Sequence, residues 1–185
     1  MTETTLNNLF DLSGNIALVT GSGGGLGLVM ARGLASCGAS VILHGRNAEK
    51  ICVAAATLAE EGFDVGTCIF DVSDAGAVKD GVEAVTGEHG AIDILVNNAG
   101  MQHRSPLEDL TEEGWDGVMS TNLKGPWLMA RAVVGGMIES RKGKIINICS
   151  IQSELGRPTI APYAASKGGL KMLTRGMAVE WAKHN

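Results

Sequence analysis

A tyrosine and a lysine stand four residues apart in Tyr163-Ala164-Ala165-Ser166-Lys167. Positions i and i+4 share one face of a helix, so phenol and ammonium can converge on one small volume. A free tyrosine titrates near pH ~10 and is a poor base at neutrality, but a neighbouring lysine cation favours the phenolate. A tyrosine so placed can exchange a proton with an alcohol or carbonyl oxygen. Alone, such a pair is more often a solvated helix face. Features elsewhere in the chain tip the balance towards chemistry.

Near the N-terminus, Ile16-Ala17-Leu18-Val19-Thr20 is a short apolar run suited to a buried parallel strand. It runs directly into Gly21-Ser22-Gly23-Gly24-Gly25-Leu26-Gly27, after which Leu26, Met30 and Leu34 recur at helical spacing up to Cys37-Gly38. Strand, glycine turn and helix N-terminus together offer free backbone N–H groups to a diphosphate. The glycines permit a tight turn and close approach of the ligand. A flexible glycine loop is the bland alternative, but the flanking strand and helix favour dinucleotide binding by residues 21–27. A second strand, Ser40 to His44, ends in Gly45-Arg46-Asn47. NAD-selective sites place an acidic residue here for the ribose 2′-hydroxyl. A guanidinium fork suits a 2′-phosphate instead, so Arg46, with help from Ser22 or Asn47, favours NADP(H), with NAD(H) as the alternative.

The length suffices for a single α/β domain with a sizeable core. Apolar strands alternate with amphipathic helices throughout, which implies a parallel sheet covered on both faces. The expected strands are 16–20, 40–44, 65–70, 92–96 and 144–149. The expected helices are 25–37, 47–61, 75–88, 111–139, with Gly125-Pro126 as a candidate break, and 162–183. Right-handed crossovers place the first strand centrally and reverse the chain between strands three and four. Ligands of such sheets lie at the carboxyl ends of the strands around that point. Asp71-Val72, Asn97-Asn98-Ala99-Gly100 and Ser150 all fall on that edge. Residues 1–14 form a polar lead-in whose apolar pair, Leu9-Phe10, is expected to tuck under the sheet.

The net charge of −5 and the lack of a basic run argue against a nucleic-acid surface. Cys37, Cys52, Cys68 and Cys149 show no CxxC spacing and are expected to be reduced, half-buried small residues. His44, His89, His103 and His184 are scattered, so no metal site is expected. No signal peptide or long apolar span is visible, which points to a cytoplasmic protein without membrane contact.

Thr20-Gly21-x-x-x-Gly25-x-Gly27, Asn97-Asn98-Ala99-Gly100, Asn122, Ser150 and Tyr163-x-x-x-Lys167 stand in order along the chain. With that set the sequence resembles the short-chain dehydrogenase/reductase family over nearly its whole length. The resemblance implies a Rossmann-type, doubly wound, three-layered αβα fold and hydride exchange between an alcohol and a ketone. It implies Tyr163 as general acid/base and Lys167 as holder of the nicotinamide ribose. Ser150 would be the donor to the substrate oxygen, and Asn122 the anchor of a proton-relay water. Asp71 and Val72 would line the adenine pocket, and Asn98 would contact the adenosine ribose. Many NADP-using relatives carry a basic residue just before Gly25, where this chain has Gly24. Cys149 replaces a second serine beside Ser150 and is expected to serve packing.

The segment Ile146 to Arg157 and the Tyr163 helix are similar to those of family members acting on sugar acids. That similarity implies interconversion of D-gluconate and 5-keto-D-gluconate. A polyol acid needs polar donors and a cation. Gln152 and Arg157 are the candidate substrate contacts, with Ser153, Glu154, His103 and Arg104 also at the expected mouth. Two other functions compete: a 3-oxoacyl or general carbonyl reductase of the same family, and a catalytically silent nucleotide-binding or association module. The last two helices resemble those forming homodimer or homotetramer interfaces. The chain closes at Trp181-Ala182-Lys183-His184-Asn185, where family members continue with further strands, a Pro-Gly turn and a substrate lid. The expectation is therefore one dinucleotide-binding domain, residues 1–185, truncated at its C-terminus, most simply part of a longer enzyme.

Overall fold

Ile16–Thr20 (β1) is apolar and buried almost throughout, as a central strand covered on both faces must be. It pairs in parallel with Ser40–Gly45 (β2) on one side and Ile94–Asn97 (β4) on the other. Val65–Ile69 (β3) and Lys144–Asn147 (β5) complete the sheet in the order β3-β2-β1-β4-β5. The structure, a computed structural model, describes residues 9–185. The helices are Gly25–Ser36 (α1), Ala48–Glu60 (α2), Ala75–His89 (α3), Glu112–Met119 (α4), Gly125–Ser140 (α5) and Ala161–Trp181 (α6).

Alternation along the strands splits the core into two layers. Ala17, Val19, Val41, Leu43, Ile94 and Val96 face one side, against Ala31 and Ala35 of α1 and Ile51, Ala54 and Leu58 of α2. Leu18, Ile42 and Leu95 face the other, against Val78 and Val82 of α3, Met129 and Val133 of α5 and Met177 of α6. Each large apolar side chain buried this way contributes about 1.5–3 kcal/mol. This stabilisation holds the strand ends, and hence the ligand edge, in fixed register. β1 and β2 leave together at Thr20 and His44, where the glycine loop begins.

Five details depart from expectation. Leu9 and Phe10 do not tuck under the sheet but are 65% and 71% exposed; Leu12 takes that role, packing on the α1/α2 core. β4 begins at Ile94 rather than residue 92, because the Ile16 N–H is taken by the Asp93 carboxylate at 2.9 Å. β5 ends at Asn147 rather than 149. The helical path does not break at Gly125-Pro126. It runs from α4 into α5 through one wide π-turn, Ser120–Lys124. Among the cysteines, Cys52 is exposed rather than half-buried. No helix of the described residues is long and apolar enough to cross a membrane.

His44 is a buried polar group of the central sheet. One ring nitrogen, Nε2, lies 3.1 Å from the Phe70 carbonyl, and Nδ1 has no partner. Neutral imidazole satisfies this geometry, donating from Nε2, whereas protonation would strand a second N–H in the core. Burial pushes its pKa down to about 4, against weaker opposing effects of the Phe70 carbonyl and Asp71. A group whose folded pKa is depressed gives stability that is complete above its unfolded value and lost as pH falls through the folded one. The window runs from the ordinary 6.5 down to about 4, and the shift corresponds to about 3 kcal/mol. Urea melts of wild type and His44→Gln at pH 7, 5.5 and 4 should show the gap between them narrowing by that amount towards acid. A gap independent of pH would mean that His44 is not held neutral.

Candidate active site

The glycine loop leads into a helix start that no side chain caps. Asn47, Asp74 and Thr111 cap α2, α3 and α4 with side-chain oxygens. α1 follows Gly24, which has no side chain to cap it, so its first-turn amides are left to a ligand. A methyl group at Gly24 or Gly25 would meet nothing within 4 Å, which leaves open space above those amides. Gly21 adopts φ +66°, and its Cβ position lies 2.9 Å from the Ala99 Cα; only glycine meets both conditions. These residues fit a dinucleotide diphosphate.

The loop is sewn to its neighbours by polar contacts. Thr20 Oγ1 accepts from the backbone N–H groups of Asn98 and Ala99, both at 3.0 Å. Asn98 Nδ2 donates to the carbonyls of Thr20 and Gly21 at 2.9 and 3.1 Å. The side-chain amide of Asn98 is thus committed to the loop. Ser22 departs from its expected role at the phosphate. It is fully buried, donating to the Val19 carbonyl at 2.8 Å and accepting from the His44 N–H at 2.9 Å. Its hydroxyl pins the loop to β2 instead. Asn47 Oδ1 accepts from Lys50 N–H as a helix cap. Gly23 packs towards Ile51.

Arg46 is exposed at the end of β2, where Nη1 donates to Asp71 Oδ2 at 3.2 Å. The other Asp71 oxygen accepts from Ser73 N–H and Oγ at 2.8 and 2.7 Å. Partial burial pushes the Asp71 carboxyl upwards, but the Ser73 and Arg46 hydrogen bonds outweigh it and hold the carboxyl below its usual range. Val72 is buried in the core against the Gly125 backbone, so its side chain is turned inward.

The second half of the site sits on α6 and the turn after β5. Asn97 Nδ2 donates to Asn147 Oδ1, and Asn147 Nδ2 to Thr174 Oγ1, both at 2.9 Å. That relay docks α6 on the sheet. Lys167 is buried, and its Nζ donates to the Ile148 carbonyl at 2.6 Å while standing 5.8 Å from the Tyr163 ring centroid. Burial pushes the Lys167 ammonium below its ordinary pKa, with Cys149 acting the other way. Asn122, fully buried in the π-turn, accepts from Met101 N–H at 2.8 Å. Its Nδ2 donates to the Met101 carbonyl and to Ser166 Oγ at 2.9 and 3.1 Å. Ser166 Oγ in turn donates to the Tyr163 carbonyl at 2.7 Å. Ser150 opens a short 3₁₀ turn, Ile151–Ser153, and its Oγ accepts from Gln152 N–H at 3.2 Å.

A cleft of about 640 Å³ brings Ser150, Tyr163 and Lys167 together with Gln152, Arg157 and Leu26. Asn98 and Cys149 also line it, so Cys149 borders the site rather than only filling space. Gln102 lines the cleft as well and went unnoticed in sequence; its proximity to Asn97-Asn98-Ala99-Gly100 was the available signal. Ser153 and Glu154 are spent elsewhere. Ser153 Oγ accepts from Ser150 N–H at 3.3 Å, and Glu154 pairs with Lys171. His103 packs over Gly114, and Arg104 donates to Gln102 Oε1 at 3.3 Å. Neither lines the cleft. The arrangement provides a phenol, an ammonium and a hydroxyl around one volume, beside the amides of α1.

The chain is similar to known proteins along nearly its whole length. Gluconate 5-dehydrogenase of Gluconobacter oxydans (strain 621H) is 52% identical over 177 residues, 96% of this chain and 69% of that protein. The 5-keto-D-gluconate 5-reductase of Escherichia coli (strain K12) is 46% identical over 97% of this chain and 71% of its own length. The crystal structure of a gluconate 5-dehydrogenase from Burkholderia cenocepacia J2315, in complex with NADP and tartrate, superposes with a TM-score of 0.93 at 48% identity. It covers 97% of this chain and 71% of that one. The family described as short chain dehydrogenase matches residues 15–185, and the chain belongs to it.

Proposed function

We propose that this protein is an NADP(H)-dependent oxidoreductase that interconverts D-gluconate and 5-keto-D-gluconate. The observation that carries the chemistry is the gathering of Ser150, Tyr163 and Lys167 in one cleft beside the uncapped start of α1. The substrate rests on the relatives acting on gluconate and its 5-keto form. The cofactor rests on Arg46 and on the NADP-bound neighbour. Bound at residues 21–27, the dinucleotide supplies or accepts the hydride.

In the reducing direction, the Tyr163 hydroxyl gives its proton to the ketone oxygen as the carbon becomes tetrahedral. Ser150 Oγ already accepts from Gln152 N–H, so its own proton is free to donate to the same oxygen and stabilise the charge developing there. Lys167, held by the Ile148 carbonyl and shifted towards release of its proton, is placed to hold the ribose and to reprotonate the phenolate. Every polar atom of the Asn122 side chain is already bonded. Its part in a water relay would therefore fall to its backbone carbonyl. Gln152 and Arg157 are the substrate contacts, Arg157 as the cation for the carboxylate. Asp71, Val72 and Asn98 border the adenosine half, Val72 through its backbone. Oxidation of NADPH by 5-keto-D-gluconate on the purified protein tests the assignment; turnover of apolar ketones faster than the sugar acid would defeat it.

Arg46 carries the cofactor preference. Reversing its charge in Arg46→Asp should raise the KM for NADPH by about 10- to 100-fold, the loss of a charge-assisted contact, while the KM for NADH moves far less. Equal changes in both constants would remove Arg46 from the 2′-phosphate.

Residues 1–185 would make one dinucleotide-binding domain. Met119, Leu123, Trp127 and Leu173 edge an apolar groove at the α4–α6 face, which supports a homodimer or homotetramer. The four free thiols suit a reducing, cytoplasmic setting.

A further inference from the structure

Gln152 carries an unmet hydrogen-bonding demand in the wall of the cleft. Its backbone N–H is fixed on Ser150 Oγ, which roots the side chain two residues from the proposed donor to the reacting oxygen. Its Oε1 is shielded from solvent and accepts no hydrogen bond. Besides His44 Nδ1, whose lone pair is explained by the neutral ring, it is the one such side-chain atom among the described residues. No protein donor among the described residues reaches it; Ser153 Oγ faces the Ser150 N–H and Glu154 pairs with Lys171. A carboxamide oxygen has no proton to give, so what this position lacks is a donor. A buried acceptor left unpaired is costly, and a ligand that pairs it recovers that cost on binding.

We infer that the Gln152 carboxamide turns on its soft terminal torsion to bring Oε1 to the cleft when substrate binds, that Oε1 then accepts a hydrogen bond from a substrate hydroxyl borne near the reacting carbon, and that this contact selects polyhydroxy keto acids over plain keto acids. The inference rests on the sugar-acid function proposed above and names the residue that enforces it. A hydroxyl supplies the missing donor; a methylene in the same place buries only C–H against Oε1 and leaves it unpaired. Sites built to bond a substrate hydroxyl reject analogues lacking it for this reason.

The test uses two ketones with the same carboxylate-to-ketone spacing. These are 5-keto-D-gluconate and 5-oxohexanoate, which lacks every hydroxyl. The readout is the ratio of their kcat/KM values with NADPH. Wild type should favour the hydroxylated acid, and Gln152→Leu should lower that ratio by about 10- to 100-fold. Gln152→Met removes the acceptor at similar length and should do the same, which guards against misfolding of the leucine variant. Gln152→Glu keeps an acceptor and should keep most of the ratio, whatever its charge does to both substrates together. A ratio unmoved in both acceptor-free variants would overturn the role of Gln152 while leaving the sugar-acid function standing. A wild type without preference for 5-keto-D-gluconate would overturn both.

Discussion

Tyr163→Phe should lower kcat/KM by about 10²- to 10⁴-fold, the usual contribution of a positioned general acid or base, while leaving the Kd for NADPH within a few-fold of wild type. The phenol oxygen makes no hydrogen bond to protein among the described residues, so its removal orphans no partner. The ring stays on α6, whose docking runs through Asn147 and Thr174. Lys167 keeps its anchor on the Ile148 carbonyl. Binding, followed by quenching of NADPH fluorescence, and turnover with 5-keto-D-gluconate should therefore separate cleanly. Turnover within tenfold of wild type would take the proton-transfer role away from Tyr163.

The second large effect is steric. A Cβ at Gly27 would lie 2.3 Å from the Gly21 carbonyl oxygen and 2.6 Å from Asn98 Nδ2. Neither neighbour can yield cheaply. One is backbone of the glycine loop, and the other is bonded to both Thr20 and Gly21. Gly27→Ala should cost about 1–3 kcal/mol by overpacking, a fall of roughly 2–12 °C in Tm for a chain of this size. Displacing Gly21 also displaces the amides offered to the diphosphate, so NADPH binding should weaken more than tenfold in whatever protein remains folded. Gly24→Ala is the matching control for stability, because its methyl meets nothing within 4 Å. Equal melting temperatures for Gly27→Ala and Gly24→Ala would show that the loop tolerates the crowding.

The sheet was legible because β1, β2 and β4 are unbroken apolar runs that have no reason to be exposed. Their order followed from crossover handedness alone. Tyr163 and Lys167 were legible because i, i+4 spacing on a helix lets their side chains meet, and Ser150 joined them through the family resemblance. Two kinds of feature escaped. One is the direction of a small hydroxyl. Ser22 reads as a loop ligand until His44, 22 residues away, claims it. The other is helix register. The π-turn has no residue signature of its own, because the bonds that stabilise it come from Met101, 21 residues away.

Wide turns of this kind amount to one extra residue inserted into a regular helix. Apart from Asn122, the segment Ser120–Lys124 should therefore accept changes of side chain more readily than changes of length. Losing a single codon there would restore an even helix, rotate what precedes it by about 100° relative to α5, and carry Asn122 off its bonds to Met101 and Ser166. In a saturation library of this gene, this stretch should be far poorer in surviving in-frame deletions than the helix faces on either side.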